Sequence, residues 1–357
     1  MTEITIIGGG IAGLALAGTL DPSRFDVTLV EQRSQLPTTA TSLAIWPEAR
    51  DALERLGIFG PLAAMSPPVD RFPLRSATGE AWAELGIPAA ALVGRHDLLS
   101  ALDAAVPATV RRVVDRVDGL VASADGLVVG ADGVHSVVRR TGWGTRADAA
   151  LTPFIAVRGV ITEPPKGDEV AEYWGRGQLY GISRHRAGTN WYTAFRSDLG
   201  PRNVDVAEAL HEARERSAGV APAIARVLDA ATPETTLAQR IWTTPRLRSY
   251  VRGRLVLVGD AAHAMTPNLG RGACEALVDA VTLGRLLNTR AMPEALAAYD
   301  RARVRSTQRV RAASSVLMRL ALLERTQPLR DVVVASAGRR RAAGARARER
   351  AALDAVR

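Results

Sequence analysis

Ile4-Thr5-Ile6-Ile7-Gly8-Gly9-Gly10-Ile11-Ala12-Gly13-Leu14-Ala15-Leu16-Ala17 joins a β-branched apolar run, three consecutive glycines and an Ala/Leu-rich stretch. The pattern predicts a strand over Thr2–Ile7, a tight turn and a helix over Ile11–Leu20. A second apolar run, Val27–Val30, ends on Glu31, eighteen residues after Gly13. Strand, glycine turn, helix, strand is the opening of a doubly wound α/β sheet. In Gly8-x-Gly10-x-x-Gly13 the first glycine permits the turn, the second lets a pyrophosphate approach the backbone, and the third lets helix pack on strand. The amides of Ile11 and Ala12 then face the phosphates, and Glu31 can accept from a ribose diol. An acid there suits the AMP half of FAD or NAD rather than a 2′-phosphate.

Outward from this block, Trp46–Leu56 and Asp97–Ala105 carry helical spacing, and Phe72–Arg75 and Ala81–Leu85 read as strands across a Thr78-Gly79 turn. From Phe154 the texture changes. Apolar runs at Ile155–Ile161, Val170–Trp174, Leu179–Ile182 and Trp191–Phe195 alternate with Gly/Pro turns, as in an antiparallel sheet. Helices near Val206–Arg216 and Pro222–Leu228 and a strand near Leu237–Trp242 close this insertion. Parallel-sheet texture returns at Leu255–Val258, a helix is expected from Gly272 to Leu287, and a long Arg/Ala helix begins near Pro293.

Two further motifs share the strand-into-turn form. Val128-Val129-Gly130-Ala131-Asp132-Gly133 runs into Ser136, a candidate cap for a helix carrying Arg139 and Arg140. Leu255–Val258 delivers Asp260 to its carboxyl end in Gly259-Asp260-Ala261-Ala262-His263, followed by Pro267-Asn268-Leu269-Gly270-Arg271-Gly272-Ala273. Amides at the start of the next helix can hold negative charge. His263 reads as a structural hydrogen-bonder, and Cys274 as a small packing residue.

The chain has 357 residues, 47% hydrophobic and 23% charged, enough for two domains. One cysteine excludes an intrachain disulfide and points to a cytoplasmic protein. The uncharged stretch Ile4–Leu20 is too short and too glycine-rich for a membrane helix, and no basic leader precedes it. The net charge of +9 is concentrated in an Arg/Ala-rich tail without aromatic residues, so nucleic acid is not expected. The five histidines lack metal-ligand spacing.

In order and spacing the three motifs resemble the class A FAD-dependent monooxygenases, the para-hydroxybenzoate hydroxylase-like family, from Ile4 to about Arg303. The resemblance implies a Rossmann-like FAD-binding domain (1–70, 94–150, 252–320), an inserted mainly antiparallel β-sheet substrate domain (71–93, 151–251) and a helical tail (321–357). It implies that NADPH or NADH, bound transiently, reduces FAD, and that a flavin C4a-hydroperoxide formed with O2 hydroxylates a small organic substrate, aromatic by the family's habit. A halogenase or reductase on the same scaffold is the nearest alternative, though the halogenase Trp-x-Trp-x-Ile-Pro segment is absent. A nonenzymatic flavin-bound regulator is the other, and either a monomer or a homodimer is compatible.

By position, the resemblance assigns FAD binding to Gly8, Gly10, Ile11, Ala12, Gly13, Glu31, Arg33, Arg95, Asp132, Asp260, Pro267, Leu269, Gly270, Arg271, Gly272 and Ala273. Arg158 matches a substrate-sheet position facing the flavin. Arg158, Tyr173, Trp174, Tyr180, Trp191 and Tyr192 are the pocket candidates, with alternation allowing only one of Trp191 and Tyr192. Asp198 and Glu172 read as surface charges. Arg271 replaces a usual glutamine and Glu48 a usual asparagine, and the stretch Thr109–Leu127 looks short for the strands that normally precede Asp132.

Overall fold

The structure is a computed structural model; it describes residues 1–38, 41–66, 68–119, 126–201 and 203–340, without the side chains of 68, 70, 71 and 85–89. Fourteen strands occur among these residues: β1 (Thr2–Ile7), β2 (Phe25–Glu31), β3 (Ser42–Ile45), β4 (Pro68–Ser76), β5 (Ala81–Gly94), β6 (Arg111–Val114), β7 (Leu127–Gly130), β8 (Ala150–Ile161), β9 (Ala171–Trp174), β10 (Gln178–His185), β11 (Gly188–Arg196), β12 (Thr236–Thr243), β13 (Val251–Arg252) and β14 (Leu255–Leu257). The α-helices are α1 (Ile11–Thr19), α2 (Pro47–Arg55), α3 (Phe59–Ala64), α4 (Arg95–Ala104), α5 (Val137–Trp143), α6 (Val206–Glu215), α7 (Pro222–Ala230), α8 (Asp260–His263), α9 (Gly272–Thr289) and α10 (Met292–Ala321). Residues 327–340 are also helical.

Met1–Pro67, Ala91–Thr152 and Ile241–Met318 form one compact unit. Its six-stranded sheet has the order β13-β14-β7-β1-β2-β6, parallel from β14 to β6. β1 lies between β2 and β7, so both of its hydrogen-bonding edges are paired; Ile4, Ile6 and Ile7 are buried, as are Leu14 and Leu16 of α1. Each buried aliphatic side chain of this kind contributes roughly 1.5–3 kcal/mol. α1 reads as uniformly apolar because it is a core helix. Its close approach to α9 needs Gly284, where a Cβ would come within 2.6 Å of the Thr19 side chain. The strand β6 occupies part of the stretch that looked short; residues 120–125 of that stretch lie outside the described residues.

Pro68–Ala90, Pro153–Arg240 and Arg319–Arg357 form the second unit. β8, β11, β10 and β9 pair antiparallel in that spatial order, and β9 then takes β4 in parallel. β5 continues past Ala90 into the first unit, where its last residues pair with β3. α6, capped by the Asp205 carboxylate, and α7, begun by Pro222, cover one face of the sheet. Ile155, Val157, Tyr173, Tyr180, Trp191 and Phe195 meet Leu210, Ile224 and Val227 in that core.

The described residues from Arg319 to Arg340 cluster with this unit. Buried Arg330 donates to the carbonyls of Ala321 and Gly175 and lies between the Trp82 and Trp174 rings. Among the described residues no helix is long and apolar enough to cross a membrane.

Candidate functional site

The glycine turn behaves as its spacing predicts. Gly8 sits at φ +106°, and a Cβ there would lie 2.3 Å from the Ala131 carbonyl oxygen. A Cβ on Gly13 would lie 1.8 Å from the Gly8 oxygen, so this contact sets the distance between strand and helix. Gly10 differs: a Cβ would meet nothing within 4 Å, which leaves an open approach over the start of α1. No side chain caps α1 and no acid occupies its first turn, so its amides present uncompensated positive character there. The Glu31 carboxylate is oriented by the amides of Gly9 at 2.7 Å and Arg33 at 3.0 Å, with lone pairs to spare.

Asp132 accepts from the amides of Val137 and Val138 through Oδ2, and Ser136 caps Arg139, so both residues hold the start of α5. Asp132 Oδ1 is buried without a partner, and burial pushes its carboxyl up. Arg139, at 1% exposure, donates to the carbonyls of Ala147, Ala261 and Val134. It thereby ties α5 to the turn that carries Asp260.

That turn needs glycine at 259 for two reasons: its φ is positive (+60°), and a Cβ there would lie 3.1 Å from Ala276 Cβ and 3.2 Å from Ala12 Cβ. Asp260 follows, exposed, at the start of α8. Gly270 closes the next loop at φ +61°, and α9 begins without a side-chain cap. Beneath the loops runs a ladder of alternating charge. His263 Nε2 meets Asp279 at 2.5 Å; Arg303 bridges Asp279 and Glu275, each at 2.6 Å; Arg271 reaches Glu275 at 2.9 Å and Glu48 at 3.3 Å. Asp279 also accepts the Gly259 amide at 2.9 Å. Arg271 and Glu48, the two departures from the family pattern, are thus partners, and Arg271 lies over the Trp46 ring. His263 is structural, as expected. Burial pulls its imidazole down, but the Asp279 carboxylate outweighs that and leaves it raised.

Arg95, on the first turn of α4, makes no ion pair among the described residues; burial lowers its pKa, Asp260 opposing and Arg33 adding. Trp46 Nε1 and Asn268 Oδ1 are likewise buried without partners. Unpartnered buried polar groups are costly unless a ligand satisfies them. Those in the three motif blocks, with the open turn at Gly10, fit a dinucleotide carrying a polar ring system.

Cys274 accepts from the Trp46 amide and donates to the Ala44 carbonyl, and burial raises its thiol to about 11 despite its place at a helix start. Native protein should therefore resist iodoacetamide at pH 8 and react fully once unfolded in urea, read by intact mass. Rapid alkylation of the folded protein would contradict this placement.

In the second unit, burial alternates along β8 and β9. Tyr173 and Trp191 point into the α6/α7 core, which corrects their candidacy as pocket residues: the sequence shows two faces but not which one the helices cover. Tyr180 shares that core and also lines a cavity with Trp174 and Gln178. Arg158 and Tyr192 lie on the other face, and Arg158 donates to Gln239 at 2.8 Å. Trp174 alternates onto that face, but Arg330 covers its ring. Glu172 is a second correction. It is no surface charge: it takes the Trp174 indole N–H at 2.6 Å and the Tyr192 hydroxyl at 2.8 Å. Arg139, Asp279 and Arg303 went unread as well. Acids at 275 and 279, one turn apart within an apolar helix, were the available signal for the ladder.

Residues 103–314 match the FAD binding domain family, and residues 6–53 a NAD(P)-binding Rossmann-like domain. Over 326 residues the chain is 31% identical to the aurachin C monooxygenase/isomerase of Stigmatella aurantiaca, covering 84% of this chain and 85% of that protein. Over 357 aligned residues it is 30% identical to the 2-heptyl-3-hydroxy-4(1H)-quinolone synthase of Pseudomonas aeruginosa, 89% of each being covered. The crystal structure of Klebsiella pneumoniae HpxO complexed with FAD and uric acid matches with a TM-score of 0.83 at 23% identity, over 94% of this chain and 93% of that one. At that identity the likeness is one of fold.

Proposed function

This chain belongs to the para-hydroxybenzoate hydroxylase-like FAD-dependent monooxygenases, and from that premise we propose that it hydroxylates a small aromatic or heteroaromatic ring held on the open face of β8–β11. The observation that carries the substrate reading is the polar row on that face, where Arg158, Tyr192 and Glu172 share one register. Quinolone-type rings are the first class to try, given the name of the Pseudomonas aeruginosa relative.

Bound FAD supplies the redox chemistry, accepting a hydride from a nicotinamide and, once reduced, activating O2 for transfer of one oxygen atom. The residues of this chain bind and orient. The α1 amides and Arg95 neutralise the pyrophosphate, Glu31 takes a ribose diol, and Asp260 takes hydroxyls of the ribityl chain. Asp132 Oδ1, Trp46 Nε1 and Asn268 Oδ1 gain partners from the ligand. Amides of Leu269 to Ala273 at the start of α9 stabilise negative charge on the ring system. Arg158, steadied by Gln239, attracts an anionic or enolised substrate. The cytoplasm is the compartment that suits a chain with one buried thiol.

The test is anaerobic stopped-flow on the FAD-loaded protein with NADPH and NADH, with and without quinolones and phenols, followed by oxygen and mass analysis. The expected result is reduction of FAD, faster with the right aromatic, and a product one oxygen heavier. FAD that neither nicotinamide reduces would overturn the reading.

A further inference from the structure

The face of the second unit's sheet that lies away from α6 and α7 is organised around Gly181. In the β10–β11 and β9–β10 registers, Tyr192 lies opposite Gly181 and Gly181 opposite Glu172, with Arg158 opposite Tyr192 on its other side. A Cβ at Gly181 would sit 2.0 Å from Tyr192 Cζ and 2.5 Å from its hydroxyl oxygen. The phenol ring therefore lies flat across the glycine, and its hydroxyl reaches Glu172 Oε2 at 2.8 Å on the next strand. Glu172 Oε1 is held by the Trp174 indole at 2.6 Å, so the carboxylate cannot turn away. Both of its partners are neutral donors.

A phenol has one hydrogen to give and two lone pairs to receive. Here the hydrogen is committed to Glu172. We propose that Glu172 is a specificity-determining positioning residue: it fixes Tyr192 as a pure hydrogen-bond acceptor on the substrate face, so that the site selects rings bearing a hydroxyl or ring N–H at that point over the same rings capped by methyl. The inference rests on the monooxygenase reading above and names the substrate class for it. Burial and the Glu172 charge together hold the Tyr192 proton in place, while burial raises the Glu172 carboxyl itself and the Trp174 and Tyr192 hydrogen bonds oppose that rise.

The experiment titrates FAD-loaded protein with two matched pairs, 4(1H)-quinolone against N-methyl-4-quinolone and 3-hydroxybenzoate against 3-methoxybenzoate, reading the flavin absorbance perturbation. Wild type should prefer the donor member of at least one pair by about fivefold or more, the value of one hydrogen bond. In Y192F the preference should fall below about twofold, since the acceptor is gone. In E172Q it should shrink likewise, because the glutamine amide can donate to the phenol and free its hydrogen to point at the ligand. G181A, which displaces the ring and its hydroxyl while leaving both Tyr192 and Glu172 in the sequence, should also erase it. FAD content and thermal midpoint, measured alongside, show whether each variant is folded. No preference in wild type, or one undiminished in both Y192F and E172Q, overturns the proposal. Reduction of wild-type FAD by NADPH, read on the same sample, tests the monooxygenase reading separately.

Discussion

Replacing Asp279 by alanine is expected to lower the stability of the FAD-binding unit by about 3–5 kcal/mol, a third or more of what a domain usually has. The carboxylate is fully buried and has three dependants: the His263 imidazole, the Arg303 guanidinium and the Gly259 amide. Removing it leaves the buried Arg303 guanidinium with Glu275 as its one remaining carboxylate partner in the ladder and leaves two donors, the Gly259 amide and the His263 imidazole, unpaired in the turn that presents Asp260. Urea unfolding monitored by tryptophan fluorescence reads the effect, and a midpoint equal to that of wild type would refute it. The ladder also has a pH signature. His263 titrates above its ordinary value of 6.5 when folded, so its pairing with Asp279 contributes fully below pH 6.5 and is lost as the pH rises through the raised value. Wild type should lose this stability on the alkaline side, and the D279A variant should not.

Gly10→Val is expected to separate cofactor binding from folding. Because no atom lies within 4 Å of a Cβ at Gly10, and its backbone (φ −85°, ψ −165°) suits any residue, the apo fold should lose no more than about 1 kcal/mol. The side chain would nevertheless occupy the approach over α1, and FAD affinity should fall by about 100-fold or more, roughly 3 kcal/mol. Gly13→Ala makes the contrast. Its Cβ, 1.8 Å from the Gly8 oxygen, should damage fold and affinity together. Fluorescence titration with FAD and urea unfolding of apo protein measure both quantities. Retention of tight FAD binding by G10V would remove the glycine turn from the cofactor site.

The glycine turn and the strand ends bearing Glu31, Asp132 and Asp260 were legible because each is local: a short run of residues sets the backbone and delivers the acid. The sheet face was not. Tyr173 and Tyr180 alternate as clearly as Glu172 and Tyr192 do, and only the packing of α6 and α7 decides which set is core. Glu172 looked like a surface charge because its partners Trp174 and Tyr192 become neighbours only through the β9–β10–β11 register. Arg139 satisfies carbonyls rather than acids, so no charge pattern announces it. The pairing of Arg271 with Glu48 spans two motifs read apart, and each alone resembled a defect in its own.

The chain crosses from one unit to the other five times, so neither unit is a continuous piece of sequence. This governs how the protein is made. β1 leaves the ribosome first, yet one of its neighbours, β7, follows some 120 residues later, and the other flank of β7 is completed only by β14 at Leu255–Leu257. At ordinary elongation rates of about 5–20 residues per second, the unpaired edge of β7 waits ~6–25 s for that last parallel strand. The N-terminal third is therefore expected to gain from a holding chaperone during synthesis, and slowing translation before β14 should lengthen its exposure to aggregation.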